Sequence, residues 1–294
     1  HLAVLQHPDS ELAGCYPSIT GKPGDGIPFE LLERFVQQHQ SSIAETLQTR
    51  LVQTNVLTRC NYLLPVFAQL LSTSHQPSTL IDIGASSGLN LNFDRYAYYQ
   101  DGRKTWGDSP VQLHCQLRGG HFPAPESFDS PVQKIGIDQN PVDLTNEADR
   151  TWLQALIWPD QLERFKQLRE ALRLYPSSGI QLVRGDSIAD FRKVINEVPH
   201  SQNLILYATH VLYQFPESLK HQFYDLLDAV GRKRDYHFLS AEATPSLQAA
   251  YQSRHTVVTL TRYADQRKEV HFIAETNGHG NWIEWKGRKG VNIE

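Results

Sequence analysis

The chain has 294 residues, with 28 Lys+Arg against 32 Asp+Glu and a formal charge of −4. Hydrophobic residues make up 40% and glycine adds 18 positions, which excludes disorder for most of the chain and permits a large core. Mild acidity without charged blocks argues against a nucleic-acid-coating surface, and no apolar run approaches the roughly 18–20 residues that span a bilayer.

Residues 1–28 are rich in Pro and Gly and read as an irregular lead-in. Helical spacing follows in Phe29, Leu32, Phe35 and Val36, and again in Ile43, Leu47, Leu51 and Val52. A further apolar stretch, Val56–Leu71, extends the helical character, so residues 1–77 form an expected N-terminal helical cover segment. Within it, Arg50–Asn55 is expected on a helix, with Gln53 and Asn55 as polar residues that reach a ligand or solvent.

Ser78–Gly84 is a β-branched run ending in glycine, the pattern of a buried strand. The stretch after Gly88, LNLNFDRYAYY, looks helical, and about 96–131 reads as an irregular insertion. The insertion carries an Asp101-Gly102 hairpin signal and an alternating strand at Val111, Leu113, Cys115 and Leu117. Strands are then expected at 134–138, 179–185, 203–208 and 236–240, separated by helices at 149–175, 188–198 and 217–230. Trp158-Pro159 interrupts the first of these helices, and Gly231 stops the last. Trp152, Leu156 and Trp158 lie at near-helical spacing and are expected to pack in a core. The end differs, with strands at 256–263, 270–275 and 281–285, the last two forming a hairpin. Residues 78–294 therefore read as one α/β domain with a doubly wound, mainly parallel sheet of seven strands and an antiparallel C-terminal hairpin.

The sharpest local signal is the run from Leu80 to Asn90, L-I-D-I-G-A-S-S-G-L-N. A strand, a glycine turn and a helix bring backbone N–H groups against a ligand. Asp82, Gly84, Ala85, Ser86, Gly88 and Asn90 are the candidate binding residues here, although the G-x-G-x-x-G dinucleotide fingerprint is absent. Asp138 and Gln139 follow the second strand, where an acid accepts hydrogen bonds from ribose hydroxyls. Asp186 and Ser187 follow the third and suit an adenine amino group. Each of these acids is equally an N-cap candidate. Gly84-Ala85-Ser86-Ser87-Gly88 also spells G-x-S-x-G, which would make Ser86 a hydrolase nucleophile, with Asp186 and His210 or His279 as partners. Some 75 residues of helical character before this strand, and the lack of an HGGG-type segment, oppose that reading.

The motifs D-I-G-A-S-S-G at 82–88, I-D at 137–138 and G-D at 185–186 resemble class I S-adenosylmethionine-dependent methyltransferases, across about 78–285. The chain also resembles a bacterial family, domain of unknown function 2332, over nearly its whole length. That second likeness is carried by R-L-V-Q-T-N at 50–55, I-G-A-S-S-G-L-N-L at 83–91, G-I-D-Q-N-P-V-D at 136–143 and W-L-Q-A-L-I-W-P-D-Q at 152–161. The resemblance implies a Rossmann-like methyltransferase fold, S-adenosylmethionine as cofactor and no established substrate. Departures are Ser86 in place of the middle loop glycine, the long gap between Asp82 and Asp138, and Ala208-Thr-His-Val-Leu-Tyr213 in place of the Asn/Asp-Pro-Pro-Tyr tetrapeptide. The last weighs against amino-group methylation and leaves a non-catalytic binding module as the alternative.

His210 falls where that fold faces its substrate and suits a base for an oxygen nucleophile, with Tyr213 shaping the pocket. His114, Cys115 and His121 match no zinc spacing, and neighbours on a strand point to opposite faces, so no metal is expected. Three separated cysteines, Cys15, Cys60 and Cys115, support no disulfide framework and fit a reducing cytoplasm. No signal peptide opens the chain at His1, and no methionine occurs. Either the start lies ahead of His1, or methionines have been lost and some spacings are short by one. The expected partner is a small-molecule substrate rather than nucleic acid or membrane; the oligomeric state is not legible.

Overall fold

A computed structural model describes residues 1–24, 26–119 and 127–286. In chain order the helices and strands are α1 Leu2–Gln6, α2 Pro17–Thr20, α3 Phe29–Gln38, α4 Gln40–Thr49, α5 Cys60–Thr73, β1 Ser78–Ile83, β2 Ala97–Gln100, β3 Arg103–Trp106, β4 Gln112–Leu117 and β5 Gln133–Asp138. Then come α6 Glu147–Ala155, α7 Leu162–Leu174, β6 Gln181–Arg184, α8 Ile188–Glu197, β7 Asn203–Thr209, α9 Glu217–Gly231, β8 Tyr236–Glu242, α10 Pro245–Ala250, β9 Thr256–Ala264, β10 Arg267–Thr276 and β11 Trp282–Trp285.

These elements divide into two compact units, one of 1–55 with 142–177 and one of 56–141 with 178–294. In the first, Val4, Leu12, Ala13, Tyr16 and Phe35 form a small core. His1 ties α1 to α6 and α2, its ring nitrogens bonding the Ala155 carbonyl at 3.0 Å and the Ser18 hydroxyl at 2.9 Å. The Asn146 side chain caps α6 by accepting the Ala148 N–H.

Among the described residues the second unit holds eleven strands in the order β3-β2-β4-β11-β10-β9-β8-β7-β1-β5-β6. The block β8-β7-β1-β5-β6 is parallel. β9, β10 and β11 continue it as an antiparallel meander. β1 is buried at every position. Alternation turns Ile81 and Ile83 to one face, where they join Leu204, Leu206, Phe191, Phe223 and Leu226 in a core under α8 and α9. Asp82 and Tyr207, paired across β1 and β7, share the other face, where the Phe67 ring of α5 lies 5.1 Å from that of Tyr207. A capping box starts α8, with Ser187 and Asp190 satisfying each other's backbone N–H groups.

Several expectations are corrected. Among the described residues the sheet has eleven strands rather than seven: the strand expected at 111–117 forms as β4 and the turn at Asp101-Gly102 joins β2 to β3, but these three strands extend the main sheet through β11 instead of standing as an irregular insertion. Leu89–Arg95 is a broken 3-10 segment, and Tyr98 and Tyr99 after it lie in β2. Residues 50–56 are not helical: α4 ends at Thr49, Arg50 turns to an extended conformation, and its guanidinium pairs with Asp149. β6 is an edge strand with no fully buried residue, not a buried one. Trp158 is 71% exposed, whereas Trp152 uses its indole N–H to bond the Leu51 carbonyl. α9 does end at Gly231, as expected, and a Cβ there would lie 2.2 Å from the Tyr263 ring. Among the described residues no helix is long and apolar enough to cross a membrane.

Candidate functional site

Strand order reverses between β1 and β7: the chain steps outward from β1 to β5 and β6, then returns to β7 and β8. At such a point the loops leaving two adjacent strands diverge, and α/β sheets place their ligands outside the carboxyl ends there. Ile83 ends β1 beside Ile137 of β5 and Ala208 of β7.

The loop after β1 is tightly folded. Gly84, Ser86 and Gly88 all lie in the left-handed region, with φ of 77°, 53° and 73°. A Cβ on Gly84 would come 2.4 Å from the Val211 side chain, so the loops after β1 and β7 touch. Ser86 carries a side chain in that region, a strain of about 1–2 kcal/mol. The loop's N–H groups are largely spent within the protein. Gly84 and Ala85 donate to the Ile137 carbonyl, Gly88 to that of Ala85, and Ser86 to Asp138 Oδ2 at 2.8 Å. Asn90 is buried, with the Cys60 thiol 3.6 Å from its carbonyl.

Acidic strand ends brace neighbouring loops. Asp138 accepts from Ser86 with one oxygen and from Asn140 N–H at 2.8 Å with the other. Glu242, ending β8, takes the N–H groups of Val211 and Leu212 on Oε1, both at 2.9 Å, while its buried Oε2 has no partner. Asp190 accepts from the N–H groups of Asp186 and Ser187. Ser187 is thus the helix cap, and the Asp186 and Gln139 side chains are exposed at the same edge.

Asp82 is buried behind the loop, beside Tyr207, and burial pushes its carboxyl up to about 8. His210 sits at the carboxyl end of β7 with φ of 53°, and its Nε2 lies 3.2 Å from the Thr256 hydroxyl. Burial first, then the nearby Arg59 charge, hold its imidazole down to about 4. Tyr213 is 56% exposed on the turn after His210. Gln53 and Asn55 belong to the first unit, in the irregular stretch 50–56. His114 is exposed and Cys115 buried on β4, as alternation requires, and His121 lies outside the described residues. Among those residues no group of three His, Cys, Asp or Glu is placed to hold a metal.

Two residues that sequence reasoning missed belong to this edge. Glu242 escaped because the strand reading stopped at Ser240, two residues short of the β8 end. Arg59 escaped because a cation flanking an apolar helix reads as a solvated end. Its Nε instead donates to the Gly278 carbonyl at 3.2 Å and its Nη1 to that of Thr209 at 3.0 Å.

A strand reversal, a glycine turn and carboxylate-braced loops define a mixed α/β protein with its candidate ligand site at the carboxyl ends of the parallel strands. Residues 1–285 match the family described as "Uncharacterized protein conserved in bacteria (DUF2332)", and the chain belongs to that family. No curated protein and no solved structure matches it.

Proposed function

We propose that this chain binds S-adenosylmethionine at the carboxyl ends of β1, β5 and β7 and transfers its methyl group to a small molecule. The observation that carries the reading is the strand order β8-β7-β1-β5-β6 with a left-handed glycine turn leaving β1. The donor set fits this cofactor better than a dinucleotide. The N–H groups of Gly84, Ala85, Ser86 and Gly88 are internally paired, which leaves little for a pyrophosphate, and S-adenosylmethionine has none. Asp138 ends β5, where an acid at the strand end suits ribose hydroxyls. Gln139, Asp186 and Ser187 stand at the adjacent strand ends for the adenine side. The buried Ser86 hydroxyl has no hydrogen-bond partner among the described residues and is a further polar contact at the turn.

When bound, the cofactor supplies an electrophilic methyl group on a sulfonium. The chain's task is then to hold an acceptor in line and, for an oxygen acceptor, to take its proton. His210, neutral above its pKa of about 4, is available for that proton through the physiological range. His210→Ala should leave cofactor affinity intact and cut turnover roughly 10²–10⁴-fold. The acid limb of the wild-type pH–rate profile should fall near pH 4 rather than 6.5. Unchanged turnover in the variant would remove His210 from catalysis, and turnover missing from a chain that binds the cofactor would mark a binding module.

Calorimetry of the full chain tests the cofactor. S-adenosylmethionine and its demethylated product should bind while NAD and ATP do not, and Asp138→Ala should weaken binding by about 1.5–3 kcal/mol. Failure of both cofactor forms to bind sinks the proposal. The positive φ of Ser86 in G-x-S-x-G is the one feature favouring a hydrolase. Against it, no base meets the hydroxyl, and its N–H is tied to a carboxylate. A fluorophosphonate probe should leave Ser86 unlabelled.

A further inference from the structure

Arg59 closes the 3-10 turn Leu57–Arg59 and reaches across the sheet edge. Its bonds to the carbonyls of Thr209 and Gly278 tie the end of β7 to the turn between β10 and β11. Those two carbonyls, with a weak 3.5 Å contact to the Thr209 hydroxyl, are its only partners among the described residues. Among the described residues Nη2 makes no hydrogen bond, and no carboxylate stands within ion-pair distance of the guanidinium. A guanidinium has five N–H donors in a planar fork, and an unpaired fork fits a carboxylate or phosphate side-on.

Two histidines stand at the same end. His210 lies beside Gly278, where a Cβ would sit 3.4 Å from the imidazole Cε1, and its Nε2 meets the Thr256 hydroxyl. His279 is close enough to His210 to act on its charge, and its carbonyl is held by the Thr58 hydroxyl. Asp82 and Glu242 feel the Arg59 charge but form no ion pair with it among the described residues. Asp82 keeps its proton up to about pH 8, and Glu242, whose carboxyl burial also raises, has Oε1 committed to two N–H groups.

We infer that Arg59 recognises an anionic group, a carboxylate or a phosphate, on the molecule that is methylated beside His210. The inference rests on the methyl-transfer reading for the identity of that molecule, and on the geometry alone for its anionic character.

The test follows histidine-ring NMR signals of the full chain, with His210 assigned by a His210→Gln variant. Sodium acetate and sodium phosphate serve as probes, with ionic strength held constant by chloride. In the wild-type chain at least one anion should shift the His210 signals saturably. Saturation by acetate alone points to a carboxylate substrate, and by phosphate alone to a phosphate ester. Arg59→Gln should raise the apparent Kd at least tenfold, and Arg59→Lys, which keeps the charge without the fork, should fall between. If Arg59→Gln does not fold, Arg59→Lys and the wild-type titrations still decide. Lack of a saturable response to either anion, or an Arg59 variant that binds like wild type, overturns the inference. Displacement of the anion by S-adenosylmethionine also overturns it, because Arg59 would then hold the cofactor. Cofactor binding without an anion response defeats this inference alone, and an anion response without cofactor binding defeats the cofactor reading alone.

Discussion

Asp82 sits in β1, two residues before the glycine turn, and is buried away from the surface. Its folded carboxyl holds a proton up to about pH 8, whereas the unfolded side chain releases it near 4. Between those values the folded state binds more protons, so this residue's contribution to stability declines as pH rises through the window. Asp82→Asn removes the titration. Its unfolding free energy relative to wild type should grow with pH between 4 and 8, by up to about 1.4 kcal/mol per pH unit. Urea unfolding at four pH values checks this, and a constant difference would show that Asp82 is ionised in the fold. At this scale the sequence was legible for identity but not for duty. Asp138 and Ser187 were found as polar groups at strand ends, yet which partner each takes depends on the neighbouring strand's loop. The Asp138 carboxylate reaches Ser86, 52 residues earlier in the chain, and no local pattern encodes that. Glycines had the same ambiguity: Gly231 ends its helix by position and packs on the Tyr263 ring by contact.

Elements were legible where their hydrophobic period was strong and their flanks were marked. β1, β5, β7 and α8 fall within a residue or two of expectation because each is a short apolar run or an amphipathic helix between clear turn signals. Residues 50–56 and 89–99 failed because apolar residues at helical spacing also suit an extended segment, and tertiary pairing decided between them. The loop after β7 shows how one side chain can set an element's path. Val211 caps and Leu212 opens a short 3-10 turn, and their N–H groups bond to Glu242 rather than to a ladder. Glu242→Ala should cost about 1.5–3 kcal/mol, the scale of hydrogen bonds to a charged group. Glu242→Gln keeps a carbonyl acceptor and should lose less. Equal losses for the two variants would mean that packing rather than the acceptor holds this loop.

For the molecule as a whole, the first unit is assembled from two stretches far apart in sequence, 1–55 and 142–177. Neither is complete alone: the ring of His1 lies 6.1 Å from that of Phe165 in α7, and α1 is bonded to α6 through Ala155. Deleting residues 1–55 should therefore uncover apolar positions of α6 and α7, such as Leu153 and Phe165, instead of trimming an independent segment. The truncated chain should bind a hydrophobic dye and aggregate where the full chain does not. A monomeric truncated chain with no dye binding would show that 142–177 holds its fold unaided.

The pairing of β4 with β11 has a consequence for synthesis. Trp282 and Ile283 meet Gln116 and Leu117, so an interior strand waits for a partner at the far end of the described chain. While the ribosome is still making the parallel block, β4 has β2 on one side and an open ladder on the other. Open ladders recruit foreign strands, and contacts this distant in sequence form slowly. The nascent chain therefore carries a sticky edge through most of its elongation. Shielding by a holding chaperone, or rapid release after β11 emerges, then governs yield more than the stability of the finished sheet does.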